Sequence, residues 1–163
     1  MKKTAISGVA VIILSWMINT TQAQIEYSVA KLDPKVKDLK VVHTKAEVNF
    51  AKKYESATDI TWYQLHDKRL MVRFFDYGTQ TKIFYNRNGN QEAMIRYYTE
   101  DKLPNEVRRL VRSTYYDFSI FMVIEVTVGN KTAYLVKIKD KTCTKTIRVM
   151  NGEMDVTEEI ENL

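Results

Sequence analysis

One strand-and-turn pattern occurs twice in this chain of 163 residues, and the repetition constrains the fold more than any other feature. The segment TQTKIFYNRNGNQ begins at Thr79, and the segment TCTKTIRVMNGEM begins 63 positions later, at Thr142. Both read T-x-T-K, five further residues and then Asn-Gly, a dipeptide that favours tight hairpin turns because both residues tolerate positive φ. The match predicts two similar antiparallel hairpins.

A helix signal precedes each copy. Thr44-Lys-Ala-Glu47 has the form of a capping box, and Leu103-Pro104 places a proline where a first helical turn tolerates it. In the segment that follows each helix signal, apolar residues alternate with polar ones. This alternation is typical of β-strands. The last strand predicted is a short one at Met154 to Val156, followed by an acidic tail.

These elements predict an α+β fold of two tandem helix-plus-antiparallel-meander repeats, residues 43–100 and 101–163, with the helices packed on one side of the sheet or sheets. Each unit is too small to bury much surface alone, so residues 43–163 are expected to form one compact unit. The two repeats either share a sheet or pack helix to helix.

The first 23 residues resemble an export signal. Lys2 and Lys3 precede an apolar run, and Thr21-Gln-Ala23 ends in a small residue that suits signal peptidase. Removal of residues 1–23 would leave a lead-in segment, residues 24–42, that we expect to be extended or loosely attached. The predicted location is the periplasm or the extracellular medium. No cysteine that could carry a lipid lies near the cleavage site, and no second apolar stretch reaches spanning length.

Charge and cysteine content limit the classes of partner and the cross-links that are expected. Without Lys2 and Lys3 the chain has 23 basic and 20 acidic residues, a net charge of +3, and no dense Lys/Arg patch. Nucleic acid is therefore not expected as a partner. The single cysteine, Cys143, excludes an intramolecular disulfide.

No set of residues with known catalytic or metal-binding spacing occurs. His43 and His66 are the only histidines, and neither has a second histidine or a cysteine at ligand spacing. Cys143 lies between Lys141 and Lys145, but no base for nucleophilic catalysis is apparent. We predict a non-enzyme without metal or cofactor.

The order of motifs resembles a known group of proteins. The first unit contains Ile60-Thr-Trp62, Val72-Arg-Phe74 and Tyr85-Asn-Arg-Asn-Gly89; the second contains Leu103-Pro104 and Tyr134-x-Val136. This pattern is similar to the small exported PepSY-like proteins of Gram-negative gut bacteria, also described as β-lactamase-inhibitor-like. The resemblance implies a periplasmic, non-enzymatic protein that binds or inhibits another protein, and it carries over no functional residue.

One face of the predicted sheet has the composition of a binding surface. If Val72 and Phe74 point inward, then Met71, Arg73 and Phe75 point outward. By the matching pattern Lys137 and Lys139 share that face, Lys82 and Lys145 extend it, and tyrosines such as Tyr85 flank it. Mixed arginine, aromatic and apolar side chains are favoured at protein interfaces. The alternative is a solvated face whose lysines oppose aggregation.

The leading hypothesis is thus an exported binding module that recognises, and in one version inhibits, another envelope or secreted protein. Two other hypotheses remain open. One is an envelope assembly or stress factor, which would bind unfolded clients. The other is a hydrolase with an unrecognised site, which would need a cleft with convergent titratable groups.

Overall fold

The structure is a computed structural model in which residues 44–67 and 69–162 are described. The predicted signal peptide, residues 1–23, and the predicted lead-in segment, residues 24–42, lie outside these residues, as does His43.

Eight strands of seven to ten residues dominate the described chain, together with two α-helices of ten residues and one short 3-10 helix. In chain order the elements are α1 (Thr44–Lys53), β1 (Thr58–Gln64), β2 (Leu70–Asp76), β3 (Thr79–Tyr85), β4 (Gln91–Tyr98), the 3-10 helix (Glu100–Lys102), α2 (Asn105–Thr114), β5 (Ser119–Val128), β6 (Lys131–Lys139), β7 (Cys143–Met150) and β8 (Glu153–Glu161).

All eight strands form one antiparallel sheet in which the spatial order is the sequence order, β1 to β8. The predicted α+β fold of two helix-plus-meander repeats is therefore wrong. Strands β4 and β5 pair from Ala93 opposite Val128 to Tyr98 opposite Val123, so the sheet continues through the expected boundary at residue 100. This pairing satisfies backbone N–H and C=O groups that two separate meanders would leave exposed at their edges.

The acidic end of the chain is a strand and not a tail. Strand β8 pairs with β7 along its length, with one irregularity between Thr146 and Ile147. Cross-strand ion pairs join the two strands: Arg148 lies 3.0 Å from Asp155, and Lys145 pairs with Glu159. The acidic residues that look like a solvated tail in the sequence thus complement the basic residues of β7.

Both α-helices pack on the same side of the sheet, here called the helix side. Ala46 and Phe50 of α1 pack on a cluster that includes Val72 and Phe74. Val107 and Val111 of α2 pack on a second cluster, whose strand residues include Val136. The core of the molecule therefore lies between the helices and the sheet.

The opposite side of the sheet, here called the far side, carries a third apolar cluster. Its members, here called the far-side cluster, are Leu65, Met71, Phe84, Ala93, Ile95, Ile124, Val126 and Leu135. Neither helix contributes a residue to it.

Candidate protein-binding face

The pairing register determines which side chains share the far side. Residues directly opposite each other on neighbouring strands lie on the same side of a sheet, and successive residues alternate. Arg73 of β2 lies opposite Lys82 of β3, and Phe75 lies opposite Gln80. Because Val72 and Phe74 pack toward α1, these four residues belong to the far side.

Five residues of the predicted face lie together on the far side: Arg73, Phe75, Lys82, Lys137 and Lys139. Their exposure differs, because Arg73, Phe75 and Lys139 are exposed while Lys82 and Lys137 are half-buried.

The other three predicted residues are placed differently. Met71 lies on the far side but is 1% exposed, because it belongs to the far-side cluster. Tyr85 and Lys145 lie on the helix side. Tyr85 packs 5.8 Å from the ring of Trp62 beneath α1, where burial and the nearby Tyr54 raise the pKa of its hydroxyl to about 12.

The separation of Lys82 from Lys145 has a simple cause. Lys145 lies opposite Ile138, which packs toward α2, whereas Lys82 lies opposite Arg73 on the far side. The repeated T-x-T-K pattern is thus one residue out of phase with the strand pairing, and a shift of one residue moves a side chain to the other side of a sheet. Lys145 is also paired with Glu159, and this hydrogen bond raises the pKa of its ammonium group.

The exposed part of the far side lies at one end of the sheet. We call it the basic–aromatic patch and define it by Arg73, Phe75, Phe121, Met122, Lys137 and Lys139. Phe75, Phe121 and Met122 are 37%, 36% and 40% exposed, which is high for large apolar side chains. They come from the end of β2 and the beginning of β5, and Lys139 comes from the end of β6. Because the strands are antiparallel, these positions lie at the same end of the sheet.

Phe121 and Met122 owe their exposure to an irregularity in β5. Ile120 lies opposite Ile138 and Met122 lies opposite Lys137, so Phe121 is an extra residue in this strand. Such β-bulges bend a strand and redirect side chains. Sequence analysis missed both residues, because the unbroken apolar run Ile120 to Ile124 hides the extra residue.

A shallow cavity of about 310 Å³ adjoins the patch. Phe75, Tyr97, Phe121 and Met122 contribute its apolar lining, and Lys102 reaches it from the 3-10 helix. Lys102 is held in place by its ammonium group, which donates to the carbonyl of Tyr77 at 2.8 Å. The arrangement offers a partner an apolar recess with cations at its rim.

Three cations of the patch differ in their pairing from two arginines elsewhere on the sheet. Within residues 44–67 and 69–162, Arg73, Lys137 and Lys139 form no ion pair, whereas Arg96 and Arg148 have carboxylate partners in Glu125 and Asp155. The ammonium group of Lys139 lies 5.4 Å from the ring centre of Phe121. On the same side, Lys82 lies 5.1 Å from the ring centre of Tyr97 and donates to its hydroxyl at 3.3 Å. Positive charge and aromatic surface are therefore combined here.

The described residues bear on the sequence expectations for a metal site and for Cys143. No group of three His, Cys, Asp or Glu side chains there could hold a metal ion, and the thiol of Cys143 is free and buried. None of the helices in this part of the chain is long and apolar enough to cross a membrane.

Comparisons with known proteins find similar structures but no similar sequence. No model of a protein family matches the chain, and no curated protein matches it. A BLIP-like protein from Bacteroides fragilis has a TM-score of 0.56 at 16% identity, over 73% of this chain and 85% of that one. A DUF2874 family protein from Bacteroides uniformis has a TM-score of 0.54 at 15% identity, over 73% and 88%. A protein from Bacteroides eggerthii, described as a candidate periplasmic protein, has a TM-score of 0.55 at 17% identity, over 74% and 88%.

Identities this low show the fold alone. The chain shares its fold with BLIP-like and DUF2874 proteins of Bacteroides, and this confirms the resemblance to β-lactamase-inhibitor-like proteins that the sequence motifs indicate.

Proposed function

We propose that this chain is an exported, non-enzymatic binding module that recognises an acidic surface of another envelope or secreted protein through the basic–aromatic patch. The observation that carries the proposal is the grouping of three cations without ion-pair partners among the described residues, Arg73, Lys137 and Lys139, with the exposed side chains of Phe75, Phe121 and Met122.

The physical basis is the composition of protein interfaces. Aromatic residues, methionine and arginine are enriched there, and a few of them contribute most of the binding free energy. The cations of the patch would attract an acidic partner and orient it, and the apolar side chains would then be removed from water on contact. The adjoining cavity is large enough to accept one side chain of the partner.

One sequence prediction and two structural neighbours support export and protein binding. The sequence begins with a predicted signal peptide, and the Bacteroides eggerthii neighbour is described as a candidate periplasmic protein. The Bacteroides fragilis neighbour is described as BLIP-like, which is consistent with a partner protein. Inhibition of that partner is the version of the proposal to examine once the partner is known.

The test is a cross-linked pull-down from native envelope extract with residues 24–163 as bait. The patch variant is Arg73→Glu/Lys137→Glu, and the matched control is Lys52→Glu/Lys131→Glu, which changes the net charge equally at exposed positions outside the patch. We expect a specific protein to be captured by the wild type and the control, with capture declining at high salt, and to be lost with the patch variant.

A second variant separates charge from apolar contact. Phe75→Ala/Phe121→Ala keeps the charge of the patch and should weaken capture without altering its salt dependence. Capture that survives both patch variants would contradict the proposal, and preferential binding of unfolded proteins would favour an assembly factor instead.

A further inference from the structure

A cavity of about 380 Å³ lies between α1 and β1, and we call it the α1–β1 cavity. Its described lining residues come from α1, from the turn that follows α1 and from β1. Trp62 of β1 lies opposite Val72, which packs toward α1, so the cavity is on the helix side of the sheet. Because the basic–aromatic patch lies on the far side, the cavity is independent of the proposed function.

Aromatic rings form the inner lining of the α1–β1 cavity. The ring centre of Phe50 lies 5.4 Å from that of Tyr54 and 5.5 Å from that of Trp62, so the three rings form one continuous surface. Phe50 is 4% exposed, whereas Tyr54 and Trp62 are half-buried. Ile60 extends the apolar lining and is itself 47% exposed. The cavity thus offers a ligand aromatic and aliphatic surface that water can reach.

The charged residues among the described lining are both acidic. Glu47 and Glu55 are exposed, so their carboxylates lie at the mouth of the cavity. Ala51, midway between them in sequence, also lines the cavity, and its small side chain keeps the space open. A ligand in the cavity would therefore enter past two negative charges.

The three lysines of α1 do not line the cavity. Lys45 donates to Asn90 at 3.0 Å and Lys53 donates to Gln91 at 3.5 Å, so two of them point toward the turn before β4 and the beginning of that strand. The Lys53 ammonium group also lies 5.4 Å from the ring centre of Tyr54. Helix α1 therefore directs carboxylates toward β1 and two of its ammonium groups toward β4.

We propose that the α1–β1 cavity binds a small molecule that carries a quaternary ammonium group. Of the aromatic side chains, tryptophan attracts a cation to its face most strongly. Among the described residues no cation lies over the ring of Trp62. The carboxylates of Glu47 and Glu55 would complement the positive charge of the ligand.

Desolvation favours a quaternary ammonium group over a primary one. A primary ammonium group has three N–H donors that require acceptors, and an aromatic and aliphatic lining supplies few of them. A quaternary ammonium group has no donor to satisfy, and its alkyl groups are removed from water favourably. The volume of the cavity also falls within the range of small-molecule sites, roughly 300–1,000 Å³.

The test uses residues 24–163, in which Trp62 is the only tryptophan. Choline is the probe, and the control ligand is its neutral isostere neohexyl alcohol, in which carbon replaces the nitrogen. At constant ionic strength, we expect choline to bind saturably in equilibrium dialysis and to change the fluorescence of Trp62. The neutral isostere should bind at least tenfold more weakly, because it lacks the charge.

Two variants locate the binding. Ala51→Leu places a larger side chain in the lining but keeps a strong helix former, so it should abolish choline binding without lowering the urea midpoint. Glu47→Gln/Glu55→Gln should weaken choline binding several-fold. Its matched control, Glu153→Gln/Glu161→Gln, removes the same charge at exposed positions of β8 and should leave choline binding unchanged.

Four results would each overturn the proposal. The first is the absence of saturable choline binding at millimolar concentration, and the second is equal affinity for choline and its neutral isostere. The third is undiminished choline binding by folded Ala51→Leu. The fourth is an equal loss of binding in the two glutamate double variants, which would assign the effect to net charge and not to the cavity.

Discussion

Tyr98 belongs to the apolar cluster beneath α2 and makes a polar contact with Glu125 of β5. Its hydroxyl donates to a carboxylate oxygen of Glu125 at 2.6 Å, and the guanidinium group of Arg96 lies 5.5 Å from the Tyr98 ring centre. Tyr98 is buried and the Glu125 side chain is 12% exposed, so water contributes little to either group. A buried polar group is costly once it loses its partner.

Tyr98→Phe should therefore lower the free energy of unfolding by about 1–3 kcal/mol at pH 7, because the Glu125 carboxylate loses a donor. Tyr63→Phe is a control that removes a half-buried tyrosine hydroxyl on the other side of the sheet and should change stability by less. Urea denaturation measures both. An unchanged unfolding free energy for Tyr98→Phe would show that the contact adds no stability.

The same residue predicts that the folded protein loses stability at alkaline pH. Burial and the hydrogen bond to Glu125 raise the pKa of Tyr98 above its ordinary value of 10.0. Below pH 10 the hydroxyl is protonated in the folded and unfolded chains alike, so its contribution is fully present. Above pH 10 the unfolded chain ionises first and this contribution is lost. Stability should fall less steeply above pH 10 in Tyr98→Phe than in the wild type, as urea titrations at pH 9 and pH 11 would reveal.

Asp140 predicts the opposite behaviour in acid. Hydrogen bonds from the backbone amides of Cys143 and Thr142 lower the pKa of its carboxyl below the ordinary 3.8. Its contribution to the turn between β6 and β7 is therefore present above pH 4 and is lost as the pH falls through the lowered pKa. Asp140→Asn should lower the urea midpoint at pH 7 and flatten its decline in acid. Asp117→Asn, at an exposed turn position, is the control.

At the scale of one element, Phe50 fixes α1 on the sheet. Its ring lies 4.9 Å from that of Phe74, 5.5 Å from that of Trp62 and 5.4 Å from that of Tyr54, measured between ring centres. Offset and edge-to-face aromatic contacts of this kind add to the free energy of apolar burial.

Phe50→Ala should cost about 3–5 kcal/mol of unfolding free energy, because it leaves a cavity among these rings. Val48→Ala is the matched control on the same helix. Val48 is 45% exposed, and surface changes are usually within about 0.5 kcal/mol. Thermal or urea denaturation compares the two variants, and similar losses would mean that α1 is not held by the aromatic contacts.

The positions of helices and strands were easier to predict than the side of the sheet on which each residue lies. Capping signals, proline and Asn-Gly turns are local, and they placed α1, α2 and the hairpins close to their observed bounds. Asn151 and Gly152, for example, both have positive φ, at 54° and 79°. The side on which a residue lies depends on the pairing register, which the extra residue Phe121 and the phase of Lys145 alter without a local signal.

At the scale of the molecule, the repeat pattern left open whether the two units share one sheet or pack helix to helix. The contact between β4 and β5 joins residues separated by α2, and such pairing is determined by which edges remain unsatisfied and not by local propensity. Of the candidate site, Arg73, Phe75, Lys137 and Lys139 could be predicted from strand alternation. Phe121 and Met122 could not, because a β-bulge exposes them.

A continuous sheet predicts that the chain unfolds as one unit. The fluorescence of Trp62 reports on the sheet near α1, whereas far-UV circular dichroism reports on all eight strands. The two signals should give the same urea midpoint, and Phe50→Ala should lower both midpoints equally. If the fluorescence changed at a lower urea concentration than the dichroism, the two halves of the sheet would be unfolding separately.

The linear strand order has a consequence for how the chain acquires its structure. Each strand pairs only with the strands next to it in sequence, so most steps close a short turn and have low contact order, whereas the pairing of β5 with β4 closes over the 3-10 helix and α2. A chain that emerges from its N-terminus first, from a ribosome or through a secretion channel, could add β2, β3 and each later strand to the growing edge as it arrives. Strand β5 would pair once α2 had been delivered, and folding could follow the direction of delivery.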